Sequence, residues 1–108
     1  MNKPSDPREL VLALLNRSLC AVQVAACLTD RWGIFAWAVN HAGPTGMGEH
    51  AEAHVLKRAN PKRLAGSTLY IAARRRKSGG TVTAKPCEAC SRLIKRVGRA
   101  IWRDSSGD

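Results

Sequence analysis

The sequence predicts an α/β protein, a three-layer α/β/α sandwich around a mixed sheet, on three observations. Helix-patterned and strand-patterned segments follow one another in the order helix, strand, strand, helix, strand, helix, strand. The strand segments are continuous apolar runs rather than clean alternations, the pattern of strands covered by helices on both faces. Finally, 108 residues with 44% hydrophobic content suffice for one core and not two, so residues 1–108 are expected to form a single domain.

Asp6-Pro7-Arg8-Glu9 opens the first helix. Asp6 is the N-cap, Pro7 stands where no amide donor is missed, and Glu9 is placed to complete a capping box. The helix is expected to run to about Ser18, with Leu10, Val11, Leu14 and Leu15 giving a broad apolar face that needs a sheet to cover it. Leu19 to Leu28 and Trp32 to Asn40 are apolar runs joined by polar Thr29-Asp30-Arg31, which reads as a β-hairpin. His41 to Gly48 holds three glycines and a proline, hence a loop, and Glu49 to Ala59 returns to helical types until Asn60-Pro61 ends it. Leu69 to Ala73 is the next strand, leading into a basic tip, Arg74-Arg75-Arg76-Lys77-Ser78-Gly79-Gly80. Thr81 to Ala84 reads as a short return strand, Pro86 opens a helix from Cys87 to about Val97, and Arg99 to Arg103 is the last strand.

The net charge of +10 is unevenly spread: residues 1–56 carry 4 basic against 5 acidic side chains, and residues 57–108 carry 14 against 3. A half so basic suits a polyanionic substrate or partner, because clustered Lys and Arg displace counterions from phosphates; a solvated basic face is the plainer reading. The apolar run Leu10 to Leu15 falls short of the roughly 20 residues that cross a bilayer, and the acids and prolines before it make a poor leader. A membrane role is therefore not expected, and a reducing cytoplasm is. There, cysteines spaced Cys-x-x-Cys bind metal or do redox work more often than they form disulfides.

Two segments carry the chemistry, Gly48-Glu49-His50-Ala51-Glu52-Ala53-His54 and Lys85-Pro86-Cys87-Glu88-Ala89-Cys90. Zinc takes imidazole and thiolate ligands in tetrahedral geometry, and a catalytic site keeps three protein ligands with the fourth position left to water. His50, Cys87 and Cys90 supply that set. Cysteines one turn apart at a helix opening are favoured as thiolates. On a helix, Glu52 points about 200° around the axis from His50, so it is placed for the water rather than the metal.

His50-Ala51-Glu52 followed about 35 residues later by Pro86-Cys87-x-x-Cys90 resembles the H-x-E and P-C-x-x-C signature of the zinc-dependent cytidine and deoxycytidylate deaminase superfamily, which includes polynucleotide cytosine and tRNA adenosine deaminases. The resemblance runs from about Val22 to Trp102 and implies a cytidine-deaminase-like sandwich. It further implies Zn2+ on His50, Cys87 and Cys90, and Glu52 as general acid and base. In that mechanism a water acidified by the metal gives a proton to Glu52, which passes it to the ring nitrogen and then helps ammonia leave. Asn40 matches a position that contacts sugar or base in relatives, and relatives assemble as dimers or tetramers. The chain departs from the pattern by ending soon after the strand at Ala100 to Arg103, and by the basic stretch before the cysteines.

The expected activity is deamination of cytosine to uracil in single-stranded DNA or RNA, with Arg74, Arg75, Arg76 and Lys77 contacting phosphates. Alternatives stay open: a free cytidine or deoxycytidylate deaminase, a deaminase of adenosine in RNA, or a zinc-stapled nucleic-acid-binding module without catalysis. His54, four residues after His50, could make a two-histidine, two-cysteine structural site, although that leaves Glu52 and Asn40 without roles. Cys20 and Cys27 read as small core residues, Trp37 as core, Glu88 as charge complementing a helix dipole, and His41 as a solvent-facing loop residue or part of the pocket mouth.

Overall fold

The structure, a computed structural model, describes residues 6–41, 50–77, 92 and 94–102. Helix α1 (Pro7–Leu14) begins as its sequence dictates: Asp6 is extended, its carboxylate accepts the Arg8 amide at 2.9 Å, and Pro7 follows at the first helical position. It tightens into a single 3₁₀ turn, Leu15–Arg17, instead of continuing to Ser18. Strands β1 (Val22–Asp30) and β2 (Gly33–Val39) form the expected antiparallel hairpin across a two-residue turn, Arg31-Trp32. Gly33 takes φ +111°, which a side chain would resist. The turn is tied by the Trp32 amide, which donates to Asp30 at 2.9 Å.

Helix α2 (Ala51–Arg58) follows the loop. The chain does not simply stop helical structure at Asn60-Pro61. Asn60 caps a further short helix, α3 (Pro61–Leu64), its Oδ1 accepting the Lys62 amide at 3.0 Å. Strand β3 (Thr68–Arg75) runs two residues past the expected end at Ala73, so Arg74 and Arg75 belong to the sheet, opposite Gln23 and Val22. The final described part is a 3₁₀ turn, Ile94–Arg96, and strand β4 (Arg99–Trp102). The Gly98 amide reaches the Ser67 carbonyl at 3.0 Å, and a Cβ on Gly98 would stand 2.8 Å from the Ala65 carbonyl oxygen, so the approach of β4 to β3 needs glycine there. The expected return strand Thr81 to Ala84 and the body of the helix opened by Pro86 lie outside the described residues.

The sheet is mixed, in the order β2-β1-β3-β4, with β1 antiparallel to both β2 and β3 and β4 parallel to β3. Both faces are covered, as the unbroken apolar runs require. On one, Val11, Leu14 and Leu15 of α1 and its 3₁₀ turn pack on Ala25, Cys27 and Ala72. On the other, Ala51, Val55 and Leu56 of α2 pack on Ala26, Leu28, Ala36, Ala38 and Ile71, with Ile94 and Val97 against the same cluster. Successive residues of β1 thus serve opposite cores, the period-two rule of a strand. Much of the buried sheet surface is alanine: Ala25, Ala26, Ala36, Ala38, Ala72 and Ala73. Burying a Leu or Val side chain contributes about 1.5–3 kcal/mol, so the larger residues at Leu14, Leu15, Leu28, Val55 and Leu69, all buried, carry most of the driving force.

Cys27 is a core residue, as expected, and fully buried. Burial, reinforced by the charge of Asp6, pushes its thiol up to about 12, and its Sγ lies 3.6 Å from the Pro7 carbonyl oxygen that accepts from it. Trp37 differs from expectation: it is 43% exposed. It sits on edge strand β2, whereas α1 covers mainly β1 and β3. Among the described residues no helix is long and apolar enough to cross a membrane.

Candidate active site

The N-terminus of α2 and the C-terminal end of β2 are brought together by packing of α2 across β2 and β1. His50 is the N-cap of α2, extended at φ −72° and ψ 146°, and exposed. Its backbone therefore lies outside the helical periodicity of α2, which alters the angular relation expected from a continuous helix. Glu52 lies in the first turn and is 5% exposed. A carboxylate withdrawn from water is costly unless its surroundings favour the charge, and the positive end of the α2 dipole is one such influence. Exposed imidazole and buried carboxylate therefore stand two residues apart at one helix opening.

Asn40 follows β2, and its side chain is held at both ends. Its Oδ1 accepts the Ser18 hydroxyl at 2.6 Å and the Val24 amide at 2.9 Å, while its Nδ2 donates to the Val22 carbonyl at 2.9 Å. The Asn40 amide itself donates to Val24 at 3.0 Å. His41, next along the chain and exposed, meets His54 of α2 edge to face, ring centroids 5.0 Å apart at 71°. His54 Nδ1 lies 3.4 Å from the Val39 carbonyl oxygen. Because a carbonyl can only accept, that contact places the proton on Nδ1. The histidine pair ties the residue after Asn40 to the helix that carries Glu52.

The basic stretch divides in two. Arg74 is turned inward along the sheet: its Nε and Nη2 donate to Gln23 Oε1 at 3.2 and 3.0 Å, and Nη2 also to Asn16 Oδ1 at 2.5 Å. Arg76 donates from Nη1 to the Leu19 carbonyl at 3.2 Å, and its amide continues the ladder to Ala21. Arg75, Arg76 and Lys77 are all exposed. Sequence reading alone did not find Ser18 and Gln23, both buried at 1% and 4% exposure; the only trace is a polar Gln23 inside an apolar run.

An imidazole with two thiolates is the donor set of a three-ligand zinc site. His50, exposed at the mouth of a helix beside Glu52, fits one corner of such a set. Cys87 and Cys90 lie outside the described residues, and among the described ones no group of three metal-ligating side chains gathers.

Comparison with known proteins bears directly on this arrangement. Residues 6–102 match the family described as the cytidine and deoxycytidylate deaminase zinc-binding region. Among solved structures, the chain is similar in fold to a cytidine deaminase from Burkholderia pseudomallei, with a TM-score of 0.73 at 17% identity over 94% of this chain and 85% of that one. A cytidine deaminase from Mycobacterium leprae superposes with a TM-score of 0.65 at 17% identity, over 93% of this chain and 86% of the other. No curated protein matches the sequence.

Proposed function

Since this chain belongs to the cytidine and deoxycytidylate deaminase family defined by its zinc-binding region, we propose that it is a zinc-dependent hydrolytic deaminase converting cytosine to uracil in single-stranded nucleic acid. The observation that carries the catalytic part is Glu52, a carboxylate buried in the first turn of α2 immediately after His50 at the N-cap. His50, Cys87 and Cys90 would hold the zinc. When bound, the metal supplies the Lewis acidity that lets water attack near neutral pH. Glu52 takes a proton from that water as its oxygen bonds to the ring carbon bearing the amino group, and gives the proton to the ring nitrogen. Glu52 then takes the remaining proton from the new hydroxyl and passes it to the amino group, the carbon–nitrogen bond breaks, and ammonia leaves as the carbonyl forms, the ring nitrogen keeping its proton. Asn40 contacts the substrate beside this centre.

The polynucleotide part is supported by the charge of the second half of the chain, 14 basic against 3 acidic side chains, and by exposed Arg75 and Lys77 at the end of β3. A specific observation favours a second reading, a free cytidine or deoxycytidylate: Arg74 and Arg76 spend N–H donors on Gln23, Asn16 and Leu19, leaving fewer donors for an extended backbone. Chromatography of products from cytidine, deoxycytidylate, adenosine and defined single-stranded oligonucleotides decides between them. Faster turnover of the oligonucleotide, falling steeply with added salt, is the expected result. Faster turnover of the free nucleotide, or salt-independent turnover of the oligonucleotide, would replace the first reading with the second.

A further inference from the structure

The carboxamide of Asn40 is polarised in one direction by its neighbours. Its oxygen is filled by two donors, the Ser18 hydroxyl at 2.6 Å and the Val24 amide at 2.9 Å. Its nitrogen spends one hydrogen on the Val22 carbonyl at 2.9 Å. A carboxamide has two N–H donors, so among the described residues one remains, and it is the group that Asn40 has left to offer a ligand. The Ser18 contact is the shortest of the three and comes from a side chain that is 1% exposed.

Ser18 is itself fixed from behind. Its hydroxyl accepts the Cys20 amide at 3.3 Å, and its carbonyl accepts from Gln23 Nε2 at 2.8 Å. Gln23, 4% exposed, can donate in that direction because its Oε1 is occupied by the guanidinium of Arg74 at 3.0 and 3.2 Å. A line of hydrogen bonds therefore runs from Arg74 through Gln23 and Ser18 to Asn40: Arg74 and the Ser18 carbonyl fix the orientation of Gln23, and the Ser18 hydroxyl, which accepts from the Cys20 amide, donates to Asn40.

We propose that Ser18 is a positioning residue for Asn40. Together with the Val24 amide and the Val22 carbonyl it locks the carboxamide with its second N–H left for the substrate, so that Asn40 meets its substrate as a hydrogen-bond donor and requires an acceptor oxygen on the nucleoside at that point. The inference rests on the proposed placement of Asn40 in the substrate site. A donor-only contact accepts an ether, hydroxyl or carbonyl oxygen alike, so this position does not by itself select ribose over deoxyribose. Gln23 and Arg74 act one and two steps further back, by holding Ser18.

The test uses the zinc-loaded full chain with Ser18→Ala, Ser18→Thr and Asn40→Asp. Loss of one hydrogen bond of ordinary strength weakens binding about five-fold. Ser18→Ala is expected to raise KM by about that factor with kcat changed less than about two-fold, and Ser18→Thr, which keeps the hydroxyl, to restore it. Asn40→Asp, which keeps the accepting oxygen and loses the donor, should raise KM at least as much as Ser18→Ala. Nuclear magnetic resonance of the Asn40 side-chain amide, assigned by its loss in Asn40→Asp, should show a sharp pair in the wild type and Ser18→Thr and a broadened pair in Ser18→Ala. An unchanged KM in Ser18→Ala, or a raised KM with the amide pair still sharp, overturns the proposal. If the wild type deaminates none of the candidate bases, the proposed function fails on that result alone; the amide pair still decides whether Ser18 fixes Asn40, and a pair equally sharp without the hydroxyl rejects it.

Discussion

Arg63 grips Asp30 with both prongs of its guanidinium, Nε to Oδ2 at 2.6 Å and Nη2 to Oδ1 at 2.7 Å, and so ties α3 to the turn between β1 and β2. The same guanidinium lies 4.1 Å from the centre of the Phe35 ring. Hydrogen bonding from Arg63, joined by the Trp32 amide and the charges of Arg63 and Arg31, outweighs desolvation and holds the Asp30 carboxyl below the usual carboxylate range. A group held low in the folded state binds protons less readily than in the unfolded chain. Its stabilising effect is full above the ordinary aspartate value of about 3.9 and is lost as pH falls through the lowered value. Asp30→Asn should therefore melt below the wild type by a constant margin near neutrality, the margin shrinking below about pH 4. Thermal melts from pH 7 to pH 2.5 check this; a margin that ignores pH would mean the pair does not act through the Asp30 charge.

Glu52→Gln should preserve zinc content and melting temperature while lowering kcat by about 10²–10⁴-fold, the range for a general acid and base. Metal analysis and calorimetry alongside kinetics make the comparison. Unimpaired turnover would remove Glu52 from the reaction.

Cys87→Ala should lose zinc and much of the stability that metal binding lends to folding. Zinc stoichiometry by atomic emission and the melting temperature with and without chelator are the readouts. A variant that retains one equivalent of zinc and melts as the wild type does would exclude Cys87 as a ligand.

The basic stretch should split by role. Removing exposed Arg75 or Lys77 is expected to weaken single-stranded oligonucleotide binding at unchanged melting temperature and to reduce the salt slope by about one each. Arg74→Ala should instead lower the melting temperature, since it leaves Gln23 Oε1 and Asn16 without their donor. Binding isotherms at three salt concentrations with parallel melts separate the two; equal effects at all three positions would contradict the division.

Much of this fold is legible in the sequence because its cues are local. Asp6-Pro7 announces a helix start, and the unbroken apolar runs announce a sheet covered on both sides. Asn60-Pro61 uses the same grammar as Asp6-Pro7, yet reads as an end because a helix stops just before it; only the structure shows a cap serving a second helix. The extension of β3 through Arg74 and Arg75 is invisible locally, since charged residues continue a strand only when a neighbour pairs with them, here Gln23 and Val22, more than fifty positions away. At the site, His50 and Glu52 are legible from spacing. The clamp on Asn40 is not, because most of what holds it is backbone of β1, and neither is the meeting of His41 with His54, which joins the chain after β2 to α2.

The alanines that line both faces of the sheet have a consequence for the site. Methyl groups have no rotamers to exchange, so the part of the floor beneath α2 made by Ala26, Ala36 and Ala38 cannot give way by side-chain rearrangement. Enlarging Ala36 or Ala38 would act as a shim under the helix, lifting His50 and Glu52 together as one rigid piece. The reach of the Glu52 carboxylate is in this sense machined by the smallest side chains in the protein.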